Sequence, residues 1–477
     1  MSMSCSEEGE RPGRRCAPLH VNAGFAVGFL APLLVYFIFQ QQAAISGFGV
    51  ATRAAVAQWV TDKQLIRAPG ETPVASDMQR NADTQLIQDS VNGKVVCNTG
   101  GRSRDWSVTC EVEGDVRTNG TALSVTLVPA SRSERHEWII SPYSRSDGAS
   151  RSSLRAVTVT QLQDQSATPP CTVTHTNPAV LFGLGGYVGN YWHDYTDVLV
   201  PLFVASRRYH GEVTFLVSNI QHLPWWLVKY KALLQGLSKY EVVDMDRDAY
   251  VRCFPRVTVG LHLDKELSII PELVPGGRLT MADFTQFVRD TYALPRGAAT
   301  REPHKKLRLL LIHRGHFRLL LNEQEILQAA EAVGFEAVLL ELRLNGSEVE
   351  QARLVNSFDV VLGMHGAGLT NAVHLPPGGV LIQVVPYGKM EYLARAEFSE
   401  GATDMGLKYL DYSVSAEESS LMELLGPDHP AIKDPESIHR SGWTNMFEFY
   451  LGKQNVRINT TRFTPTLAQA FDHLRQQ

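Results

Sequence analysis

The pattern of apolar and polar positions is not uniform along the 477-residue chain. Between residues 179 and 292, apolar runs alternate with segments of helical periodicity, and the same alternation returns over residues 307–385. Short apolar runs separated by amphipathic helices are typical of βαβ units, in which helices cover a parallel sheet. The pattern therefore predicts two α/β regions in tandem, joined by a loop that contains Pro295, Gly297 and Pro303.

Each region divides into alternating strands and helices. In the first region, strands are predicted at 179–182, 212–217, 241–243 and 256–260, and helices over 198–203, 223–237 and 282–292. In the second, the predicted strands are 307–312, 337–342, 360–362 and 380–385, and the helices are 322–333, 347–357 and a turn ending near residue 374. Two such regions form a cleft, and α/β proteins bind ligands at the carboxyl ends of their strands.

The chain before residue 179 lacks the βαβ pattern. Strand-like stretches at 108–112, 122–128 and 154–159 predict a β-rich start to the first domain. Residues 41–92 are polar and rich in small residues, as expected of a stem. We therefore predict an N-terminal α/β domain over 93–300 and a C-terminal α/β domain over 301–477.

Residues 21–39 are apolar apart from Asn22, and no charged residue lies between Arg15 and Arg53. About 20 apolar residues span a bilayer, whereas the apolar part of a cleaved signal peptide is shorter. Because arginines precede the segment, the positive-inside rule places the N-terminus in the cytosol. We predict a cytosolic tail over 1–20, a transmembrane signal anchor over 21–40 and a luminal remainder. A cleaved signal ending near residues 43–44 and a buried core helix are the alternatives.

Asparagine sequons and cysteines agree with a secretory compartment. Glycosylation is predicted at Asn119, Asn345 and Asn459, although each motif is short enough to arise by chance. Two disulfides are predicted among the four luminal cysteines, which are Cys97, Cys110, Cys171 and Cys253. Their short separation favours the pairing of Cys97 with Cys110, and buried free thiols are the alternative.

Composition narrows the class of protein. Hydrophobic residues make up 44% of the chain and charged residues 20%, which is ordinary for a folded globular protein. The formal net charge of -5 gives no reason to expect nucleic acid as a partner. No cysteine pair has the spacing of a zinc site, so no structural metal is predicted.

The residues directly after the strand at 360–362 carry the sharpest chemical signal. They are His365, Gly366, Ala367, Gly368, Leu369, Thr370 and Asn371. Glycines let a backbone approach a ligand closely, and the free amides and dipole of a helix start favour phosphate. The loop is therefore predicted to bind a nucleotide diphosphate, with His365 bonded to the diphosphate or to the transferred sugar. The alternative is a tight turn with a structural histidine.

Other nucleotide motifs fit less well. A dinucleotide fingerprint requires a third glycine where Asn371 stands, and an acidic residue at the end of the next strand, where Val385 precedes Pro386. No phosphate-binding loop ending in Gly-Lys-Ser or Gly-Lys-Thr occurs. Two cations near the predicted cleft suit a diphosphate: Arg314, beside His313 at the end of the strand 307–312, and more weakly Lys389. Solvated surface positions are the alternative for both.

A second glycine-rich turn, containing Gly185, Gly186 and Gly189, leads into a helix start. There His193 is predicted to take a proton from an acceptor hydroxyl, with Asp194 or Asp197 orienting or assisting it. The alternative is a helix-capping aspartate beside a structural histidine. Tyr187, Tyr191 and Trp192, together with Trp225 and Trp226, are candidates to stack on acceptor sugar rings, and core packing is the alternative for each.

A metal-dependent site has one weak candidate. Asp244 and Asp246 have the spacing with which two carboxylates hold Mn²⁺ against a diphosphate. They lie in an acidic loop away from the glycine-rich turn at 365–371, and a surface role is favoured. We therefore expect a site in which a helix dipole and cations, rather than a metal, stabilise the leaving nucleotide.

These motifs together resemble glycosyltransferase family 61, in particular its plant xylan-modifying members. The matching stretches are 170–171, 185–194, 253–255, 363–371 and 386–391, and the resemblance covers roughly residue 91 to the C-terminus. It implies a GT-B fold of two Rossmann-like domains facing a cleft, inverting transfer, and residence in the Golgi membrane as a single-pass type II protein. It also implies that 365–371 hold the donor and that His193 with Asp194 lies near the reacting sugar, although the family commonly has Glu at the position of Asp194.

By this resemblance the chain is expected to move a pentose, xylose or arabinofuranose, from a UDP-sugar to xylan or another glycan in the Golgi lumen. The UDP-sugar is a co-substrate, and no cofactor, metal or nucleic acid is expected. The oligomeric state, which includes a homo- or a hetero-oligomer, is left open. The alternatives are a UDP-GlcNAc- or UDP-xylose-dependent transferase acting on protein-linked glycans, and a non-catalytic luminal lectin or assembly subunit. A nucleotide-dependent oxidoreductase is disfavoured by the missing acidic residue.

Overall fold

The computed structural model describes residues 93–98, 108–145, 154–274, 276–299, 306–342 and 346–476. The predicted cytosolic tail, signal anchor and stem lie outside these residues. Within the described ranges, no helix combines the length and the apolar character that a bilayer crossing requires.

The first of two sheets has ten strands within the described residues. They are β1 (Lys94–Asn98), β2 (Thr109–Asn119), β3 (Ser124–Val128), β4 (His136–Ile140), β5 (Val157–Gln161), β6 (Val173–Thr174), β7 (Ala179–Gly183), β8 (Thr214–Ser218), β9 (Val243–Asp244) and β10 (Val251–Val259). The order is β4-β5-β3-β2-β10-β7-β8-β9, with β1 beside β2 and β6 beside β10. The block β10-β7-β8-β9 is parallel, whereas β2 joins it antiparallel. The predicted β-rich start thus extends the parallel sheet.

Helices connect the parallel strands of this sheet. After β7, the helix Tyr191–His193 continues through a π-helical turn, Asp194–Leu199, into Val200–Ser206. The others are Pro224–Lys229, Lys231–Leu237 and Met281–Tyr292, with 3₁₀ turns at Arg207–Tyr209, Ile220–His222 and Pro271–Leu273. Buried aromatic rings, including Phe203, Trp226 and Phe284, hold the helices together in one core.

The second sheet has five parallel strands in the order β12-β11-β13-β14-β15. Their bounds are β11 (Arg308–His313), β12 (Glu336–Glu341), β13 (Val360–Met364), β14 (Val380–Val385) and β15 (Lys408–Ser413). Every residue of β13 and β14 is buried, because helices cover both faces. Strands buried on both faces appear as continuous apolar runs, which is why the sequence predicted β14 with the bounds that the structure has.

Helices pack on both faces of the second sheet. They are Glu323–Val333, Glu348–Asn356, Glu391–Asp404, Ser420–Leu425, Pro430–Lys433, Pro435–Arg440, Trp443–Met446 and Thr460–Gln476, with 3₁₀ helices Ala367–His374 and Ala416–Glu418 and a π-helical segment Phe447–Lys453. The C-terminal helix buries Phe463, Leu467 and Ala470 in the core beneath β11 and β13. Together the two sheets confirm the prediction of an α/β protein.

Two disulfides connect strands of the first sheet. Cys97 pairs with Cys110 between β1 and β2, as predicted, and Cys171 pairs with Cys253. The second disulfide is formed by cysteines 82 positions apart in the sequence. The chain between these two cysteines includes the glycine-rich turn after β7 and the helix that carries His193.

Candidate active site

The turn after β13 lies against two arginines. Gly366 has a φ of +140°, and a Cβ built on it lies 2.9 Å from Arg314 Nη1 and 3.3 Å from Arg318 Nη2. Glycine is therefore needed both for the backbone conformation and for the close approach of the guanidinium groups. The 3₁₀ helix Ala367–His374 starts here, so its first amides have no acceptor within the helix, and Ala367 and Gly368 are only half-buried.

The remaining residues of this turn hold it in place. Leu369 is buried against Gly363, where an added Cβ would lie 3.1 Å from the Leu369 side chain. Asn371 accepts a hydrogen bond of 2.8 Å from Gln351 Nε2 and donates one of 2.9 Å to the carbonyl of Gly368. Thr370 is buried, and its hydroxyl has no partner among the described residues. In this turn Ala367 and Gly368 are the less buried residues, and the donor contacts of residues 365–371 stay a prediction.

Arg314 and Arg318 form a cationic pair beside this turn. Arg314 Nε donates to the carbonyl of Phe317 at 3.0 Å, and Arg318 Nε is buried with no hydrogen-bond partner in the described residues. Burial lowers the pKa of Arg314, and burial together with the charge of Arg314 lowers the pKa of Arg318 to about 10, against the opposing charge of Glu397. Both arginines stay protonated at neutral pH. Two close positive charges with unused donors favour a doubly charged anion such as a diphosphate.

His365 is held neutral beside these arginines. Its Nδ1 accepts from Gln383 Nε2 at 2.7 Å, and Tyr409 donates to Gln383 Oε1, which fixes the orientation of the amide. Its Nε2 lies 3.7 Å from a carboxylate oxygen of Glu397. Burial, Arg318 and Arg314 lower the pKa of His365 to about 3. The ring can therefore donate a hydrogen bond from Nε2, but it does not titrate near neutral pH.

Lys389 occupies a different place. It follows β14, and its ammonium group pairs with Glu436 on the helix Pro435–Arg440, with both side chains more than half exposed. The structure brings Arg314 and Arg318, rather than this lysine, to Gly366. The proposed contact of Lys389 with the donor stays a prediction.

His193 is paired with a buried aspartate one helical turn later. Its Nδ1 lies 2.8 Å from Asp197 Oδ2, and Asp197 also accepts from Tyr143 Oη at 2.5 Å and from Arg145 Nε at 2.8 Å. Burial raises the pKa of Asp197, but Arg145 and the bond from His193 offset this and hold it below its usual value. A carboxylate beside Nδ1 favours the tautomer that has its hydrogen on Nδ1, so Nε2 is the ring nitrogen with a lone pair. Tyr187 stacks on the same ring, with centroids 4.6 Å apart.

Asp194 is buried and bound on all sides. It accepts from the Gly189 amide at 2.8 Å, from Trp226 Nε1 at 3.1 Å and from Tyr230 Oη at 2.9 Å. Burial raises its pKa despite these three bonds. Its geometry is that of a residue that fixes the glycine-rich turn, and the aspartate in contact with His193 is Asp197.

Two other predicted acceptor aromatics, Tyr191 and Trp192, are buried, whereas Trp225 is 42% exposed. Tyr191 donates to Glu348 Oε1 at 2.6 Å and is 1% exposed, so its ring is not open to a glycan in this structure. Trp192 is 8% exposed; Arg145 lies over its ring, and its Nε1 donates to the carbonyl of Glu397 at 3.4 Å. Among these aromatics, Tyr187 is the one that stacks on His193, and it is only half-buried.

A buried ionic cluster around Glu348 joins the two sheets near this site. Glu348 accepts from Tyr191 and from Tyr195, the latter at 2.8 Å, and lies within 3.4 Å of both Lys229 and His374. Burial raises the pKa of Glu348, but the hydrogen bond and charge of His374, and then Lys229, outweigh it and hold the pKa at about 2. Because these partners come from both halves, the cluster fixes the helix start at Tyr191 against the second sheet.

A second set of charged side chains comes from both halves. Arg145, which binds Asp197, also donates to both carboxylate oxygens of Glu266, at 3.0 Å and 2.5 Å. Burial and the nearby charge of Glu266 raise the pKa of Glu397 to about 8, and Glu397 lies beside His365. The surroundings of His193 and those of His365 are therefore parts of one site.

The remaining candidates lie elsewhere. Asp246 accepts hydrogen bonds from the amides of Asn219 and Ile220, at 2.9 Å and 2.7 Å, which agrees with a structural use of that carboxylate. Asn119 is at the turn between β2 and β3 and Asn459 is exposed before the C-terminal helix, whereas Asn345 lies outside the described residues. Glycosylation at all three stays a prediction.

An α/β protein with a glycine turn beside two arginines, and with a histidine–aspartate pair, has the groups that a nucleotide-sugar glycosyltransferase requires. The sequence profile described as Glycosyltransferase 61 matches residues 191–382, which include both histidines. A beta-1,2-xylosyltransferase of Oryza sativa subsp. japonica, XYXT1, is 42% identical over 388 residues, or 77% of this chain and 82% of its own length. The chain belongs to glycosyltransferase family 61, as the sequence motifs indicated, and is an enzyme of that class.

Two further relatives are similar to the chain over about three quarters of its length. The alpha-1,3-arabinosyltransferase XAT3 of Oryza sativa subsp. japonica is 42% identical over 369 residues, which cover 76% of this chain but 63% of that protein. The xylan glycosyltransferase MUCI21 of Arabidopsis thaliana is 31% identical over 383 residues, or 76% of both chains. The chain thus spans somewhat less than two thirds of the arabinosyltransferase.

Several residues of the site were not found from the sequence. Arg318 follows Arg314 by four positions, and this spacing after a strand was its one available signal. Arg145 lies in a polar, arginine-rich stretch, and Glu266 and Glu397 lie in segments without a motif. Their places in the site are set by tertiary contacts.

Proposed function

We propose that this glycosyltransferase moves a pentose, xylose or arabinofuranose, from a UDP-sugar to the xylan backbone with inversion at the anomeric carbon. The observation that carries the proposal is the pair of guanidinium groups packed on Gly366, one of them with a buried Nε that lacks a partner among the described residues. Such donors suit the diphosphate of an activated sugar, and they lie in one site with the His193–Asp197 pair.

In this reaction the chain's own residues carry three tasks. Arg314, Arg318 and the amides of Ala367 and Gly368 neutralise the charge that develops on UDP as its bond to the sugar breaks. His193 Nε2 takes the proton of the acceptor hydroxyl while the oxygen of that hydroxyl bonds to the anomeric carbon. Asp197 holds the ring and stabilises the imidazolium that forms. The proton then leaves to solvent, and UDP departs with the bonding electron pair.

The choice of pentose and xylan rests on the relatives. Two of them are named as a xylosyltransferase and an arabinosyltransferase, and a third as a xylan glycosyltransferase. The identity of 42% extends over three quarters of this chain and includes both halves of the site. These names favour a plant cell-wall acceptor over protein-linked glycans.

The architecture follows from the same proposal. We assign a GT-B arrangement in which residues 93–300 bind the acceptor and residues 301–477 bind the nucleotide sugar across the cleft. A signal anchor over 21–40 places this part in the Golgi lumen as a type II membrane protein, behind a stem over 41–92. The apolar run after the N-terminal arginines supports the anchor.

The test is a donor screen with the luminal fragment. UDP-xylose, UDP-arabinofuranose and UDP-GlcNAc are each incubated with xylooligosaccharides, and products are identified by mass while UDP release is followed. A mass gain of one pentose with stoichiometric UDP is expected with one of the first two donors. Transfer from UDP-GlcNAc alone, or xylan binding without any UDP release, would contradict the proposal, and the second result would favour a lectin.

Metal independence is tested in the same assay. Because two arginines and helix amides face the diphosphate position, we expect the initial rate to persist within about twofold after treatment with EDTA. A rate that falls to background and returns with Mn²⁺ would instead assign a metal to the reaction.

A further inference from the structure

Arg145 lies between two carboxylates that come from different segments. Arg145 is 7% exposed. Its Nε donates a hydrogen bond to Asp197 Oδ1, and its two terminal nitrogens donate to the two carboxylate oxygens of Glu266. Asp197 is wholly buried, and Glu266 lies in the loop after β10. The arginine therefore connects the aspartate of the proposed base with a third segment, in a geometry that uses the whole guanidinium fork.

The His193–Asp197 pair thus shares its negative charge with an arginine. Asp197 Oδ2 faces the His193 imidazole and the Tyr143 hydroxyl, while Oδ1 faces Arg145. The titratable groups around this arrangement come from four segments; they are Tyr143, Arg145, Tyr187, Asp194, Glu266 and Glu397. Asp194 is directed to Trp226 and Tyr230, and Glu397, with a pKa of about 8, is protonated at the acidic end of a pH profile.

The charges of Arg145 and Glu266 act on His193 in opposite directions. Arg145 disfavours a second positive charge on His193, because both cations are bound to one carboxylate. Glu266 weakens this effect, because it neutralises Arg145 from the other side. A fixed cation, Arg145, and a fixed anion, Glu266, thus lie one behind the other beyond the carboxylate that binds the imidazole.

We propose that Arg145 and Glu266 are positioning residues that tune His193 as a base in opposite directions, Arg145 lowering its proton affinity and Glu266 restoring it. This inference rests on the proposed function, because it requires His193 to accept the acceptor proton. It adds two residues that act through Asp197 and contact neither substrate.

The experiment compares kcat as a function of pH for Arg145→Gln and Glu266→Gln in the full luminal fragment. Loss of the cation favours the imidazolium, so the acid limb of the Arg145→Gln profile should move to higher pH by on the order of one unit. Loss of the anion disfavours the imidazolium, so the Glu266→Gln limb should move to lower pH. Limbs that stay in place, or that move in the same direction, would overturn the proposal.

A matched control separates electrostatics from folding. Arg296 forms an ion pair with the buried Asp359 in the second half, with their charged groups 2.5 Å apart. Arg296→Gln removes a comparable arginine–aspartate pair and is expected to leave the acid limb unmoved. If Arg145→Gln does not fold, as judged by thermal melting, the Glu266→Gln shift decides alone, because Glu266 is partly exposed and tolerates an amide.

The results that would contradict the proposed function differ from those that would contradict this inference. A wild-type fragment that releases no UDP, or a His193→Ala variant with full turnover, contradicts the transferase mechanism itself. A wild-type enzyme that depends on His193, combined with unmoved limbs in both variants, removes Arg145 and Glu266 from the mechanism and leaves the transferase intact.

Discussion

The two histidines at the carboxyl ends of the two sheets lie in opposite electrostatic surroundings. His193 is half-buried and faces the ionised carboxylate of Asp197 at 2.8 Å. His365 is buried, accepts from the neutral amide of Gln383, and lies near two arginines that help to lower its pKa to about 3. The same side chain is thus paired with a carboxylate in one half and kept neutral in the other.

This difference matches the division of labour in a sugar transfer. The acceptor side needs a group that takes a proton, and an anionic partner on Nδ1 makes an imidazole more basic. The donor side needs positive charge that remains in place while UDP gains negative charge, and a neutral histidine adds no third cation that would repel Arg314 and Arg318. A histidine in a motif therefore has different expected roles in the two halves: a base on the acceptor side and a neutral group on the donor side.

The largest effect is expected from His193→Ala. Removal of a general base lowers kcat by roughly 100- to 10,000-fold. UDP affinity should remain within about twofold, because the diphosphate contacts lie in the other half. The measurements are UDP release under saturating donor and isothermal titration with UDP. A variant that retains turnover would assign the base elsewhere and end the contrast between the two histidines.

Arg318→Ala is expected to have the next largest effect, this time on binding. A hydrogen bond to a charged group contributes about 1.5–3 kcal/mol, so the Kd for UDP should rise roughly 10- to 100-fold. Arg308→Ala is the matched control, since Arg308 is at the amino end of the strand whose carboxyl end leads to Arg314. In the same titration Lys389→Ala should change the Kd little, because that ammonium pairs with Glu436. A large loss of affinity with Lys389→Ala would instead support the predicted contact of Lys389 with the donor.

Gly366→Ala should weaken the donor side less. A methyl group there lies 2.9 Å from Arg314 Nη1 on a backbone with φ of +140°, so the arginine must move. We expect a donor KM higher by about tenfold with kcat nearly preserved, since the cost is one displaced charged contact. Gly368→Ala is the control, because its added Cβ would first meet Ile312 at 3.7 Å. Equal effects of both substitutions would argue against a specific contact at Gly366.

His365→Asn should have the smallest effect. The asparagine oxygen replaces Nδ1 as the acceptor for Gln383, and one neutral hydrogen bond on the other side is lost, so kcat should fall by less than about tenfold. Since the pKa of His365 is about 3, the ring stays neutral at and around neutral pH. The acid limb of kcat should therefore stay where the wild type has it. A displaced limb would show that His365, and not His193 alone, titrates during turnover.

The fold was predicted best where the burial of an element gives a regular pattern of apolar residues. The bounds of β14 follow from an apolar run that is covered on both faces, and helix Met281–Tyr292 was found from its periodicity. The long strand β2 was predicted to end at residue 112, but it continues through Gly114 and Asp115 to Asn119. No strand was predicted between residues 128 and 154, but β4 lies there and pairs with β5.

The site was predictable where chemistry lies within one local motif. His193, Arg314 and the turn at 365–371 all directly follow strands or open helices, so their sequence position indicates the cleft edge. Whether Asp194 or Asp197 serves His193 depends on which side of a helix each faces, and the π-helical turn after His193 changes that geometry. Arg145, Glu266 and Glu397 come from three distant segments, and only the folded chain brings them together.

The cluster around Glu348 has a practical consequence for anyone who wants to study the halves separately. The carboxylate of Glu348 belongs to the second sheet's helices, but its phenol donors, Tyr191 and Tyr195, and the ammonium of Lys229 belong to the first half. A fragment that begins near residue 301 would keep His374 but would lose the two phenol donors and the ammonium group, in a surface that is buried in the whole chain. The nucleotide-binding half should therefore be poorly soluble or unstable when it is produced by itself, and both halves are better expressed as one polypeptide.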